Sequence, residues 1–377
     1  MLHKFKSEIS QSMEQKAGNN ATQVQANSIT IYQGISEERA RAICDEKIEA
    51  ALATYSNEAQ VVGRQRVEKF NSNLIRELSQ IKEGLASLAD PSMQMHILEA
   101  QKCAVATERS TDYKLLTDLL VCRVSSKGNR YERSAIRKAI EIVGDISDEA
   151  LVAMTVYYAM MNLSSSSSGV EAYLERYDNL LAQIMTSPLP ENQSWISHLE
   201  ILGAVKYVHF ARNNSFCDII KNHLGGYVSA GIRKASEEHS KANDILAKNG
   251  LPPSMLLVDH PLLENRVCVN LSSIMAVDTL CYNSVNGRVE FKPHQREAVR
   301  CVYNLYENNV EMEHQALTVL ENECNSFVYL RRFKEWFSKH LPSNGKLILT
   351  PVGQAIAHAN LHQYNSNVSQ YEFRSTV

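Results

Sequence analysis

The chain has 377 residues, of which 44% are hydrophobic, and this composition excludes wholesale disorder. Its formal net charge of −3 gives no overall attraction for nucleic acid or for an anionic membrane. No stretch approaches the ~20 apolar residues that cross a bilayer, and the N-terminus lacks the apolar core of a signal peptide. The eight cysteines are scattered singly, which is typical of reduced, buried thiols. We therefore expect a cytoplasmic protein with no membrane segment.

The first 33 residues are expected to form a polar tail and a short β ribbon. Apolar β-branched residues alternate there with polar ones, as in a half-buried strand. One ribbon of this kind is marginal in water, so it must dock on the protein's own body or on the same segment of a second copy. The candidate self-association residues in this segment are Gln23, Val24, Gln25, Ile29 and Ile31.

Residues 34–90 carry the pattern of a long association helix. Ser36 is a good N-cap, and apolar residues then recur at steps of three or four with one slip near Gly63. A continuous helix from Ser36 to Leu88 would be roughly 80 Å long, a coiled-coil-like rod. The alternative is two helices, broken near Tyr55–Asn57 or Gly63 and packed as a hairpin. The candidate self-association residues here are Leu52, Val62, Phe70, Leu74, Leu78 and Ile81.

The remaining chain is expected to divide at Gly250–Pro253, the clearest linker signal. Residues 91–250 show consecutive helical patterns and predict an all-helical body, with one helix extending from Trp195 towards Phe210. Residues 251–377 mix short β-prone runs with helices, which indicates a small α+β unit that could be winged-helix-like. The predicted fold class is therefore mainly α.

The end of the chain has a physically consistent strand–helix junction. Thr350 is placed as an N-cap and Pro351 as the first helical residue, where its missing N–H costs nothing. Gly353 would let this helix pack closely on the preceding strand.

No catalytic or cofactor motif stands out. The sequence has no P-loop, no G-x-G-x-x-G, no G-x-S-x-G and no H-E-x-x-H pattern. His358 and His362 stand at i, i+4 and could offer two metal ligands, but the spacing places no third ligand. We predict no catalytic residues, no metal and no cofactor.

Two basic clusters suggest nucleic-acid binding as an alternative. The first is the polar side of a predicted helix backed by aromatic residues, and its candidates are Arg331, Arg332, Lys334 and Lys339. The second spans a loop and the following helix and comprises Arg123, Lys127, Arg130, Arg133, Arg137 and Lys138. Both clusters also fit an ordinary amphipathic helix with a solvated charged side, which the near-neutral net charge favours.

Several segments resemble a bacterial family of unknown function that is known by locus-tag names. The segments are Gly18–Ala26 (GNNATQVQA), Gly34–Ser36, Asp118–Arg123, Ala139–Leu151, Ser197–Glu200 and Leu349–Asn360 (LTPVGQAIAHAN). The resemblance follows most of the chain in order, although residues 251–345 contribute little. It carries no catalytic residues and so implies no mechanism. The GNNxTQ type of N-terminus also occurs on proteins linked to phage defence, which implies a portable association module.

Three functional hypotheses follow. The first is a non-enzymatic interaction protein that forms a homo-oligomer through residues 18–33 and 36–88 and binds an unidentified protein partner through the rest of the chain. The second is a nucleic-acid-binding protein that uses the C-terminal unit. The third is an enzyme of an unrecognised type.

Overall fold

The computed structural model describes residues 36–52, 57–125, 130–163, 169–211, 214–284, 287–341 and 345–365. The fold is mainly helical, as the sequence predicts, with short strands in small sheets. The described helices are α1 (Glu37–Leu52), α2 (Asn57–Ser79), α3 (Pro91–Ala106), α4 (Thr111–Ser125), α5 (Arg130–Ile142), α6 (Asp148–Asn162), α7 (Val170–Ile184), α8 (Ser194–Ile201), α9 (Phe216–Val228), α10 (Glu237–Lys248), α11 (Pro253–Leu256), α12 (Pro293–Tyr303), α13 (Val310–Cys324), α14 (Val328–His340) and α15 (Pro351–Tyr364). The strands are β1 (Val205–His209), β2 (Ile232–Arg233), β3 (Leu257–Asp259), β4 (Arg266–Val269), β5 (Cys281–Ser284), β6 (Gly287–Glu290) and β7 (Gly345–Leu349). None of the described helices combines the length and apolarity needed to span a membrane.

The single long rod expected between Ser36 and Leu88 does not form. Helices α1 and α2 lie side by side, and Ile48 and Val67 share one apolar cluster with Val105 of α3. In a continuous helix, Ile48 and Val67 would be about 28 Å apart. The two-helix alternative is therefore correct, with the break between Leu52 and Asn57.

A buried amide holds this helix pair onto the next helix. Gln101 of α3 is fully buried, and its Nε2 donates to Cys44 O at 3.3 Å and to Asn71 Oδ1 at 3.1 Å. One side chain thus joins α1, α2 and α3. Phe70, Leu74 and Leu78 of α2 face the same interior, so this part of the periodic pattern belongs to the core of this chain.

Helix α15 lies at the centre of the helical body and packs on α4, α5, α6 and α7. Its residues from Gly353 to Leu361 are all buried, which requires its polar side chains to find partners inside the protein. Gln354 Nε2 donates to Leu349 O at 3.0 Å, and Asn360 Nδ2 donates to Thr155 Oγ1 at 2.8 Å. The C-terminal helix is thus part of the main core.

The short strands join distant parts of the chain. Antiparallel β1 and β7 pair Val205 with Leu349 and His209 with Gly345. A three-stranded antiparallel sheet has the order β2-β4-β3, and β5 pairs with β6 as a hairpin. The predicted all-helical body at 91–250 is therefore wrong, because it contains β1 and β2, whose partners lie beyond residue 250.

The predicted boundary at residue 250 does not separate two cores. The main apolar cluster includes residues from Ala40 to Leu361, and a smaller one combines Leu246 of α10 with Val267 and Val299. Both clusters contain residues from each side of the linker. In addition, a winged-helix arrangement does not form around α14, because β7 pairs with β1 and leads into α15.

Candidate interaction surfaces

The residues predicted to mediate self-association divide into those outside the described part of the chain and those on or just after α2. Gln23, Val24, Gln25, Ile29 and Ile31 lie outside the described residues. Leu52 ends α1, and its side chain is outside the description. The remaining candidates belong to α2 or the turn that follows it. Phe70, Leu74 and Leu78 are fully buried and Ile81 packs against the core, whereas Val62 is 48% exposed.

The basic residues predicted on α14 contact their own neighbours. Arg331 Nη1 donates to Asn325 O at 3.2 Å, and the Arg332 guanidinium lies 5.5 Å from the centre of the Tyr329 ring. Lys334 Nζ lies 3.8 Å from Glu321 Oε1 and is half-buried. Lys339 is exposed. In the described part of the chain, Lys334 is the one member of this set with a carboxylate partner, while Arg331 and Arg332 are held against a backbone oxygen and an aromatic ring.

The two histidines of α15 lie in different environments. Among the residues that the structure describes, no group of three or more His, Cys, Asp or Glu side chains could hold a metal ion. Burial lowers the pKa of His358 to about 4, and its Nδ1 lies 3.3 Å from the Tyr158 hydroxyl. The Asp118 carboxylate, 3.6 Å from His362 Nδ1, raises the pKa of His362. The His358 ring is thus part of the packed interior, and the His362 ring forms an ion pair with Asp118 when it is protonated.

A groove of about 790 Å³ lies between α13 and the loop that joins β3 to β4. Its buried cation is Arg266, whose Nη1 donates to Ala230 O at 2.9 Å and whose Nη2 lies 2.5 Å from Glu307 Oε2. The guanidinium and carboxylate satisfy each other, so this pair is a structural tie across the groove.

The two edges of the β1–β7 sheet differ, because helices cover the edge of β7 and no strand of the described chain pairs with the edge of β1. Beyond β7, the Tyr157 hydroxyl donates to Leu347 O at 2.8 Å, and Gln354 Nε2 donates to Leu349 O at 3.0 Å. Helices α6 and α15 therefore cover the outer edge of β7. In the described part of the chain, no strand pairs with the other edge of β1, which makes β1 the edge strand.

The pairing register identifies which backbone groups of β1 point outward. Thr350 N donates to Ala204 O at 3.0 Å, so Ala204 faces β7. Because backbone groups alternate along a strand, the N–H and C=O of Val205, Tyr207 and His209 point away from β7. One of these groups is capped by a side chain: Tyr207 N donates to Glu200 Oε1 at 3.1 Å. A carboxylate at an edge strand is a known means of limiting unwanted strand pairing.

Apolar side chains are exposed along this edge. Val208 is 41% exposed and Phe210 is 100% exposed, while Ile201, at the end of the adjacent α8, is 85% exposed. We name β1 with these three side chains the β1 edge. Phe210 also has a φ of 61°, which costs a non-glycine residue roughly 1–2 kcal/mol. A strained and fully exposed aromatic residue is typical of a binding surface rather than of a folding requirement.

Sequence reasoning missed the β1 edge because Trp195–Phe210 was read as one apolar helix. The signal available in the sequence is Gly203, followed after Ala204 by a run with the β-prone residues Val205, Tyr207 and Val208. In the structure Gly203 has a φ of 75°. A glycine in that conformation ends a helix.

Comparisons with known proteins give one match. Neither the curated proteins nor the solved structures include a significant match to this chain. A protein-family model, however, matches residues 34–373, and it is that of an uncharacterised family named after locus tags. The chain therefore belongs to this uncharacterised family, as the segments from Gly34 onward predicted.

Proposed function

We propose that this protein is a non-enzymatic interaction protein that self-associates, and that the β1 edge is its contact surface. The observation that carries the proposal is an exposed edge strand that ends in a fully exposed Phe210. We assign a second copy of the chain as the occupant of this edge. The β1 edge thus replaces the buried α2 residues as the proposed contact surface.

Self-pairing suits the sequence of β1. If two copies pair antiparallel around Tyr207, Val205 lies opposite His209 and Lys206 lies opposite Val208. No like charges then face each other directly, and the same patch is used by both copies, as a two-fold interface requires. The outward groups at positions 207 and 209 are in register for hydrogen bonds between the copies, whereas Val205 is 1% exposed and must be uncovered before it can pair. The result would be a four-stranded sheet, β7-β1-β1-β7.

Glu200 sets the strength of this pairing. Its carboxylate accepts from Tyr207 N, so a second strand must displace it. A pair of five-residue strands is also a small interface, at the weak end of specific association. We therefore expect a concentration-dependent dimer rather than a permanent one.

We place this protein in the cytoplasm, and we propose a role in bacterial defence on the strength of its GNNxTQ-type N-terminus. A nucleic-acid function through α14 is not proposed, because Arg331 and Lys334 already contact Asn325 and Glu321 at the end of α13.

Sedimentation velocity across a range of concentrations tests the proposal with the variant His209→Pro. Proline removes an outward N–H and is tolerated at a strand edge, so the β1–β7 pair should persist while the dimer is lost. Val310→Pro is the matched control. Val310 is 77% exposed and is the first residue of α13, where proline is well accommodated. A His209→Pro protein that dimerises like the native chain would refute the β1 edge as the contact.

A further inference from the structure

The second basic cluster has a clear geometry on α5. The apolar face of α5 is buried against α3, α4 and α15, and its residues are Ala135, Ile136, Ala139 and Ile140. Its opposite face is exposed and carries a stripe of cations, whose members are Arg130, Arg133, Arg137 and Lys138. Lys127 lies outside the described residues. The exposed face of α5 is therefore a basic ridge on a firmly anchored helix.

The ridge is only partly neutralised. Glu141 Oε1 lies 3.0 Å from Arg137 Nε, and Glu141 Oε2 lies 3.4 Å from Lys138 Nζ. In the part of the chain that the structure describes, no carboxylate lies within ion-pair distance of Arg130 or Arg133. Arg130 and Arg133 in the N-terminal half of α5 thus keep their positive charge for a partner, although Glu132 lies between them in the first turn.

A neighbouring buried histidine reports the same positive field. His96 of α3 is buried, and after burial itself the strongest influences that lower its pKa are Arg123 and Arg137, with Arg133 acting in the same direction. Arg123 is fixed at the end of α4, where its Nη2 lies 3.1 Å from Ser92 Oγ and 3.6 Å from Asp90 Oδ2. Arginines of α4 and α5 therefore converge on one side of the protein.

The composition of the ridge favours nucleic acid over a membrane. Arginine binds phosphate oxygens through two parallel N–H groups, which favours a defined phosphate backbone. Tyr131 stands beside Arg130 and is 62% exposed, so its ring is available to stack on an unpaired base. A helix that lies in a membrane surface inserts its apolar face, and the apolar face of α5 is buried in the core.

We propose that the exposed face of α5, with Arg130, Tyr131 and Arg133 at its centre, binds single-stranded nucleic acid through its phosphate backbone. Arg137 extends the contact along the helix. With about three phosphate contacts, the logarithm of the binding constant should fall with the logarithm of the salt concentration with a slope of about −2. This site is independent of the β1 edge, so His209→Pro should leave it unchanged.

Fluorescence anisotropy with a labelled 20-nucleotide poly(dT) strand tests the proposal on the full chain. The variant is Arg130→Glu with Arg133→Glu. Both substitutions lie in the first turn of α5, where acidic residues favour helix formation, so the fold should be retained. We expect binding to weaken about tenfold or more, because two phosphate contacts are lost and two negative charges replace them.

The matched control is Arg331→Glu with Arg332→Glu on α14, which changes the net charge by the same amount. Unchanged binding by this control, together with weakened binding by the α5 variant, supports the proposal. Equal weakening in both variants would overturn it, as would no binding by the native chain at low salt. Binding to phosphatidylserine vesicles but not to the strand, or equal affinity for a duplex of the same length, would also overturn it.

Discussion

The close approach of α15 to the start of β1 gives a sharp test of the fold at Gly353. A Cβ atom at this position would lie 2.0 Å from Ala204 O, whereas real Cβ contacts essentially never fall below 3.0 Å. That oxygen accepts from Thr350 N at 3.0 Å and from Thr350 Oγ1 at 3.0 Å. Gly353→Ala must therefore move the start of α15 away from β1 and lengthen both hydrogen bonds.

The expected cost follows from these contacts. Overpacking costs about 1–3 kcal/mol, and weakening two hydrogen bonds adds about 1 kcal/mol each at most. The better helix propensity of alanine returns at most about 1 kcal/mol. We expect Gly353→Ala to lower the free energy of unfolding by about 2–3 kcal/mol.

The assay is urea unfolding followed by circular dichroism, with Gly225→Ala as the control. Gly225 is also helical, in α9, but its Cβ would meet no atom within 4 Å. Gly225→Ala should be neutral or stabilising by up to about 1 kcal/mol. If Gly353→Ala unfolds at the native urea concentration, or if Gly225→Ala is the less stable of the two, the packing of α15 on Ala204 is not as described.

Two further predictions concern titratable groups. His358 has a pKa of about 4 in the folded protein against 6.5 in an unfolded chain, so the unfolded state gains a proton first as the pH falls and stability decreases from about pH 6.5 towards pH 4. Urea midpoints at pH 7 and pH 5 should therefore differ less in His358→Gln than in the native chain, and an equal difference would contradict this role for His358. Burial raises the pKa of Cys268 and of Cys324 to about 12, so both thiols should resist alkylation at pH 8 until urea is added, as peptide mass mapping can show. Rapid modification of either thiol in the folded protein would be inconsistent with its burial.

Local features of the sequence predicted local structure well. The start of α15 is correct in detail, because Thr350 accepts from Gly353 N at 3.3 Å and Pro351 occupies the first turn. Capping depends on residues a few positions apart, and so it is visible in the sequence. The close packing predicted for Gly353 is also observed, although its contact is the backbone of Ala204 rather than β7 itself.

Long-range structure could not be predicted in the same way. The spacing of Phe70, Leu74 and Leu78 is the same for a helix that binds a second copy and for one that packs on its own core, so periodicity does not identify the partner surface. β1 pairs with a strand about 140 residues away, and no local signal encodes that pairing. The β1 edge was missed for this reason, and the basic ridge on α5 was found as a cluster but without its exposure or ion pairs.

The central claim is that the β1 edge holds two copies together, and backbone hydrogen exchange tests it most directly. Exchange is compared by mass spectrometry at low and high protein concentration. The peptides that cover Val205–Phe210 are compared with peptides from the helices. We predict slower exchange at high concentration in the Val205–Phe210 peptide, through the outward amide of the exposed His209, and little change elsewhere. Dimerisation without any added protection in Val205–Phe210 would contradict the account and would place the contact in another part of the chain.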